Sequence, residues 1–247
     1  MTRRIFNITA TQVSLSASFA GLYAILSVLP AFKILGGQGF INSSAFIEPV
    51  VGIVLGPYVG SLSVFIGRSI ADILVPSSPL GPFTPVPGVL TAFSSGMVSR
   101  GKWYVSGLLL FGLVGAFLAY PYNQIPPVFP YYVWLHTTAG IILILLSRVK
   151  SLHPPFFKMK ANRLLAGLFI VFFPSTMIGQ LSGTLVWELL LGEGVTGIWR
   201  TFGMTIMLAY PVERILIALV ACFLGAALMK ALESLHFFKI SSKMEKG

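Results

Sequence analysis

The stretch that decides the fold is Ser43–Leu74, which reads SSAFIEPVVGIVLGPYVGSLSVFIGRSIADIL. It contains two apolar segments that meet at the Gly56-Pro57 pair, with Glu48 in the first segment and Arg68 and Asp72 in the second. Charges are costly within apolar sequence of membrane-spanning length, and they usually face the interior of a helix bundle or a water-filled cavity. The stretch therefore predicts two helices whose charged groups face inward.

Three glycines of this stretch, Gly52, Gly56 and Gly60, recur every four residues. Small residues at this spacing let the backbones of neighbouring membrane helices approach closely. We expect the apolar runs before and after the stretch to form walls around this pair of helices.

The composition of the whole chain is typical of a membrane protein. Its 247 residues are 55% hydrophobic and 10% charged, whereas a soluble domain carries about 25% charged residues. The apolar runs are about 20 residues long, the length that a helix needs to cross a bilayer, and they lack the alternation of a β-barrel. We therefore expect an all-α bundle of about eight membrane spans that forms one domain over residues 1–247.

The eight predicted spans follow the apolar runs. They are about Ile8–Pro30, Ser43–Gly56, Tyr58–Val75, Val89–Ser99, Trp103–Tyr120, Tyr131–Leu146, Leu164–Leu191 and Thr201–Leu232. The second is short for a full span, and the fourth is expected to extend backwards into the proline-rich segment Pro76–Gly88. That segment is otherwise predicted to be a rigid loop, and the glycine-rich segment Ala31–Asn42 a polar loop.

The basic residues indicate the orientation. The net charge of +10 arises from Lys and Arg in short loops between apolar runs, which is the positive-inside pattern and removes the need for a nucleic-acid partner. With eight spans, the basic segments fall on one side and only Lys33 and Arg200 on the other, so both termini are expected in the cytoplasm. Most polar residues within the spans then lie in the outer half, which predicts a pocket that opens outward.

The polar residues within the spans are the candidates for a binding site. Glu48 has no evident partner nearby in the sequence, which makes it the strongest of them. Arg68 lies four residues before Asp72 on the same helix face, so these two side chains can simply neutralise each other, as can Glu213 and Arg214. The full candidate set for substrate binding is Asn42, Glu48, Arg68, Asp72, Gln180, Trp187 and Glu188. For Trp187, anchoring at the membrane interface is the alternative.

Nothing in the sequence indicates catalysis, a metal or a cofactor. The segment Gly96–Lys102 has the glycine and lysine spacing of a phosphate-binding loop, but Trp103 replaces the Ser or Thr that would hold magnesium. The three histidines have no metal-ligand spacing, and His136 is expected to make one interhelical hydrogen bond. The single cysteine, Cys222, excludes an intramolecular disulfide. We therefore expect a protein that is not an enzyme and does not hydrolyse ATP itself.

Three motifs resemble the substrate-binding S component of energy-coupling-factor transporters. They are Glu48–Gly60 with the Gly67 and Asp72 that follow, Pro87–Lys102 with its basic end, and Tyr210–Val220 with Glu213 and Arg214. Together they cover about a third of the chain. The resemblance implies a multi-pass protein of a prokaryotic cytoplasmic membrane that captures a vitamin-like micronutrient. Family members usually have six spans, so the surplus would be a hairpin over Trp103–Leu146.

The resemblance also implies how the ligand is held and which partners act. The loop Gly36–Asn42 would cap the pocket, the charged residues would supply polar recognition, and Trp187 or neighbouring aromatic residues would supply a stacking wall. Two cytoplasmic ATPase subunits and a membrane coupling subunit would drive transport. In the family, a small-xxx-small face on the first helix docks the coupling subunit.

Ala20 and Ala24 fit that docking face, with Ala17 and Gly21 as a neighbouring option. Packing within the same chain is the alternative for these small residues. Two other functions stay open. One is a self-sufficient secondary transporter or channel, which would favour charges through the full depth of the bundle or two related repeats. The other is a membrane enzyme or a structural subunit of a larger complex.

Overall fold

The computed structural model describes residues 10–34, 39–76, 78–126, 128–147 and 161–234. This part of the chain is all-α apart from one short hairpin. Its helices are α1 (Ala10–Ser27), α2 (Glu48–Leu55), α3 (Pro57–Leu74), α4 (Pro85–Ser99), α5 (Trp103–Ala119), α6 (Val128–Tyr131), α7 (Trp134–Ser147), α8 (Ala161–Leu191) and α9 (Val195–Ser234). Short 3₁₀ turns lie at Ser43–Phe46, Gly81–Phe83, Pro121–Asn123 and Gly192–Gly194.

The eight predicted segments correspond to the helices α1–α5 and α7–α9, with bounds that differ by a few residues. That each of them crosses a membrane stays a prediction. The backward extension of the fourth span is confirmed, because α4 begins at Pro85. The part of the predicted loop that remains ends at Thr84 and contains the 3₁₀ turn Gly81–Phe83. Proline is tolerated in the first turn of a helix, where its missing N–H has no intrahelical partner to lose.

The predicted polar loop Ala31–Asn42 is wrong in part, because its two flanks are strands. β1 (Pro30–Lys33) pairs in antiparallel fashion with β2 (Phe40–Asn42). The ring of Phe32 lies edge-on to that of Phe46, with centroids 6.3 Å apart, which attaches the hairpin to the turn before α2. Residues 35–38, which include Gly36–Gln38 of the predicted cap, lie outside the described residues.

The predicted junction at Gly56-Pro57 is confirmed. Gly56 has a φ of +85°, a value that costs glycine little and most other residues much. Pro57 then begins α3, so the chain leaves α2 and enters α3 without a connecting loop. The two apolar segments are thereby held as separate helices with different directions.

Helix α4 is the centre of the described bundle, because it packs against α2, α3, α5 and α8. Its buried face consists largely of small residues, which lets the neighbouring helices approach. An added Cβ at Gly96 would lie 2.5 Å from the backbone nitrogen of Pro57, and one at Gly60 would lie 2.9 Å from the carbonyl oxygen of Val51. The predicted close packing through small residues is therefore confirmed for Gly60, and it extends to Gly96.

The exterior of the bundle carries many large apolar side chains. On α3 the exposed ones include Leu62, Phe65, Ile66 and Ile73. Among the described residues, the helical run Arg163–Leu232 is long and apolar enough to cross a membrane by length and composition. The apolar helices Gln12–Ser27, Trp103–Ala119 and Trp134–Leu143 are shorter.

The small residues of α1 divide between interior and surface. Ala20 is only 5% exposed, and an added Cβ at Gly67 of α3 would lie 2.4 Å from the Ala20 carbonyl oxygen. Ala20 therefore packs within the chain, as the alternative interpretation expects. Ala17 and Gly21 are exposed and Ala24 is half-buried, so the free small surface of α1 lies at Ala17 and Gly21.

Candidate binding site

A cavity of about 240 Å³ lies between α1, α2, α3, α4, α8 and α9. The hairpin residues Phe40, Ile41 and Asn42 line one part of it, and so does the segment Ser78–Leu80 after α3. Of the loop Gly36–Asn42 that was predicted to cap the pocket, these three residues thus line the cavity. Since helices from both halves of the chain surround the cavity, its shape depends on the assembled bundle.

The cavity lies in the half of the bundle that is remote from the basic loop after α4. Thr91 lines the cavity from the first half of α4, whereas Arg100 follows the other end of that helix. Gln180 and Trp187 line it from the second half of α8, whereas Arg163 lies near the start of α8. In both α4 and α8, the cavity therefore lies toward one end of the helix, and the basic residue, Arg100 or Arg163, lies toward the other end.

Glu48 lines the cavity, as does Glu213, and it is the first residue of α2. Its Oε1 accepts a hydrogen bond of 2.8 Å from the hydroxyl of Tyr23 on α1. An added Cβ at Gly88 of α4 would lie 2.9 Å from that Oε1 and 2.6 Å from the Tyr23 hydroxyl oxygen. Because Gly88 has no side chain, Tyr23 and Glu48 can pack directly against the backbone of α4.

Two arginines that line the cavity are each paired with a carboxylate. Arg68 Nη2 lies 2.9 Å from Asp72 Oδ1, and Nη1 donates a long hydrogen bond of 3.5 Å to the carbonyl oxygen of Ser27. Arg214 contacts the carboxylate of Glu213, its neighbour in the sequence. The structure thus contains both predicted neutralising pairs. Asp72 stands behind Arg68, outside the cavity wall.

Four aromatic residues line one side of the cavity: Tyr132, Trp187, Trp199 and Tyr210. The ring centroid of Tyr132 lies 5.2 Å from that of Trp199 and 5.0 Å from that of Tyr210. The Tyr210 hydroxyl donates to the carbonyl oxygen of Tyr132 at 2.7 Å, which fixes the two rings relative to each other. We name these four residues the aromatic wall; Trp187 is the one among them that the sequence singled out by number.

Gln180 holds this wall in place. Its Nε2 donates to the Tyr132 hydroxyl at 2.5 Å and to Thr184 Oγ1 at 3.0 Å, and its Oε1 lies 2.5 Å from His136 Nε2. Both donor positions of the amide are therefore used within the protein. The interhelical hydrogen bond predicted for His136 is confirmed, since His136 lies on α7 and Gln180 on α8.

Glu188 lies behind the aromatic wall and does not line the cavity. It is fully buried, and its Oε2 accepts a hydrogen bond of 2.8 Å from Asn123 Nδ2. The Asn123 Oδ1 in turn accepts one of 3.0 Å from the indole Nε1 of Trp199. Glu188 and Asn123 therefore position Trp199, instead of meeting a ligand directly.

Replacing Asn123 with alanine is expected to lower stability by about 2 kcal/mol, because the Glu188 carboxylate and the Trp199 N–H would each lose a buried partner. For a chain of this size that is a fall of roughly 4–8 °C in melting temperature. Thermal unfolding followed by tryptophan fluorescence measures it. The double variant Asn123→Ala/Glu188→Leu, which removes the stranded carboxylate, is expected to recover part of the loss. An unchanged melting temperature in the single variant would contradict the role of Asn123.

Comparison with known proteins gives one informative similarity. No family model matches the chain, and no solved structure matches it. An uncharacterized protein of Methanocaldococcus jannaschii is 31% identical over 156 residues, which are 63% of this chain and 51% of the relative. The chain thus spans about half the length of the curated relative that it matches. The function has to be argued from the site itself.

Proposed function

We propose that the chain is a membrane-embedded capture subunit of an energy-coupling-factor importer. It binds a vitamin-like micronutrient in an outward-facing pocket, and separate coupling and ATPase subunits drive transport. The observation that carries the proposal is a cavity lined by charged residues inside a bundle whose exterior is apolar. Ligand sites combine such an apolar enclosure with a few convergent polar groups.

Placement in a lipid bilayer explains the apolar exterior. Side chains such as Leu62 and Phe65 of α3 and Leu108 of α5 are more than half exposed, and they would contact lipid tails. Helices α1–α5 and α7–α9 would then be the eight membrane segments. With eight residues α2 is about 12 Å long, too short to cross a bilayer, so it would be a partial span that carries Glu48 into the bundle.

The distribution of basic residues supports an outward-facing pocket. Arg100, Lys102 and Arg163 lie at the end of the bundle remote from the cavity. Short loops rich in Lys and Arg stay on the cytoplasmic side of a membrane. The cavity, with its cap formed by β2 and the Ser78–Leu80 segment, would then open toward the outside.

The expected chemistry is binding without a covalent step. The cavity presents Glu48, Arg68, the Arg214–Glu213 pair and the aromatic wall to a ligand. These groups provide charge, hydrogen bonds and stacking. The energy for transport would come from ATPase subunits, transmitted through a coupling subunit that contacts the exposed Ala17 and Gly21 of α1.

The first test is release of a bound compound from protein purified in detergent. Denaturation is expected to release one small organic molecule in stoichiometric amount, identified by mass spectrometry. Co-purification of a membrane protein and two ATPases from the native source is expected as well.

Liposomes that contain the purified chain alone provide the decisive comparison. They are expected to bind the released compound without accumulating it under an imposed proton or sodium gradient. Gradient-driven accumulation by the chain alone would overturn the proposal in favour of a self-sufficient secondary transporter.

A further inference from the structure

The charges at the cavity do not balance. Arg68 is matched by Asp72 and Arg214 by Glu213, which leaves the carboxylate of Glu48. Within the described ranges, no Lys or Arg nitrogen lies within 4.0 Å of that carboxylate, which faces the neutral hydroxyls of Tyr23 and Thr91, with the charges of Arg214 and Arg68 further away. A carboxylate held in a largely apolar enclosure is stabilised by a cation or by additional N–H donors. The site therefore favours a ligand that supplies one of these.

An anionic ligand is disfavoured by the same arrangement. An anion could use the Nε groups of Arg68 and Arg214, which have no hydrogen-bond partner among the described residues, but it would then lie beside the carboxylate that each guanidinium already contacts. It would also approach Glu48, and like charges at short distance in a poorly solvated site repel strongly.

The aromatic wall favours a flat ring. Trp187 and Trp199 lie edge to face, with centroids 6.2 Å apart, and Tyr132 and Tyr210 continue the surface. Aromatic rings gain energy by stacking on such a wall, and a positively charged group gains further from the ring faces. The hydrogen bonds of Trp199 and Tyr132 hold these side chains in position before a ligand arrives.

The cavity volume limits the size of the ligand. An engineered cavity of about 150 Å³ accommodates benzene. The present cavity of about 240 Å³ would therefore hold one substituted ring or a small pair of rings. A nucleotide or a macrocycle would not fit without displacing the hairpin residues that line it.

We propose, on the basis of the capture function above, that the ligand is a small planar nitrogen heterocycle that directs a positive charge or an N–H group at Glu48. Its ring stacks on the aromatic wall, and its charged edge faces the Tyr23–Glu48 pair. Neutral substituents occupy the remaining space beside the two arginine–carboxylate pairs.

Calorimetric titration of the full chain in detergent tests this ligand class with matched probes. The cations are 1-methylnicotinamide, which is methylated on the ring nitrogen, and pyridoxamine, and their anionic counterparts are nicotinate and pyridoxate. Dimethylpiperidinium is a cation without an aromatic ring. At least one aromatic cation is expected to bind about tenfold or more tightly than both its anionic counterpart and dimethylpiperidinium. Equal or tighter binding of the anions, or no binding of either aromatic cation, would overturn the ligand class.

Two variants test whether Glu48 causes the preference for cations and whether Trp187 causes the preference for aromatic rings. Glu48→Gln keeps an acceptor for Tyr23 and is expected to abolish the preference for cation over anion. Trp187→Leu is expected to weaken the aromatic cation more than dimethylpiperidinium, because only the aromatic cation loses ring stacking. A Glu48→Gln protein with native melting temperature and an unchanged preference would overturn the inference.

The compound released from the native protein separates this inference from the capture function. A stoichiometric ligand that is anionic or lacks an aromatic ring would leave the capture function standing and overturn the ligand class. Gradient-driven accumulation by the chain alone, with binding that still prefers aromatic cations, would overturn the capture function and leave the ligand class standing.

Discussion

Replacing Glu48 with alanine is expected to weaken ligand binding by about a hundredfold while leaving the protein folded. Removing one partner of a buried charge-assisted hydrogen bond costs about 2–5 kcal/mol, and a factor of one hundred corresponds to about 2.7 kcal/mol. The fold tolerates the change, because Glu48 makes no ion pair in the described part of the chain and its partners there are the hydroxyls of Tyr23 and Thr91 beside the cavity. Calorimetric titration with the tightest of the ring probes measures the affinity, and thermal unfolding measures the stability.

Glu193→Ala is the matched control for this variant. It also removes one glutamate, but from the exposed Gly192–Gly194 turn outside the cavity. Affinity and melting temperature are both expected to stay native in the control. An unchanged dissociation constant in Glu48→Ala would show that this carboxylate does not contact the ligand, and a variant that fails to fold would show that its role is structural.

The helices could be predicted because the chain marks their ends. Proline begins α3 and α4, glycine separates α2 from α3, and a basic pair follows α4. The hairpin could not be predicted in the same way. Its strands have four and three residues, too few for alternation of apolar and polar side chains to be recognised. The central position of α4 also depends on contacts between distant parts of the chain.

Glu48 and Arg68 could be found from the sequence because a charge within an apolar segment is unusual. Tyr23, Thr91 and Tyr210 could not, since such residues also fill ordinary helix interfaces. Tyr23 meets Glu48 across 25 positions of sequence, and only the packing of α1 against the turn before α2 brings them together.

Helix periodicity could have separated Trp187 from Glu188. Gln180, Gly183, Thr184 and Trp187 follow the spacing i, i+3, i+4 and i+7, and all four line the cavity. Glu188 is the next residue along the helix, rotated by about 100° from Trp187, and it lies behind the wall. Adjacent polar residues on a helix therefore need not share a site.

Replacing Gly52 with alanine is expected to destabilise the protein by about 3 kcal/mol, a fall of roughly 10 °C in melting temperature. An added Cβ at Gly52 would lie 2.0 Å from the carbonyl oxygen of Ala92 and 2.1 Å from Ser95 Oγ. The first of these atoms belongs to the backbone of α4, so it cannot turn away as a side chain can. The overlap is relieved only if α2 moves away from α4.

Gly112→Ala in α5 is the matched control, because an added Cβ there meets no atom within 4 Å. Alanine favours the helix by about 1 kcal/mol over glycine, so the control is expected to be neutral or slightly stabilised. Equal melting temperatures for the two variants would contradict the close packing of α2 on α4. Because Gly52 lies four residues after Glu48 on the same face of α2, a displaced α2 would carry the carboxylate away from Tyr23. Gly52→Ala is therefore expected to weaken ligand binding as well, which the control is not.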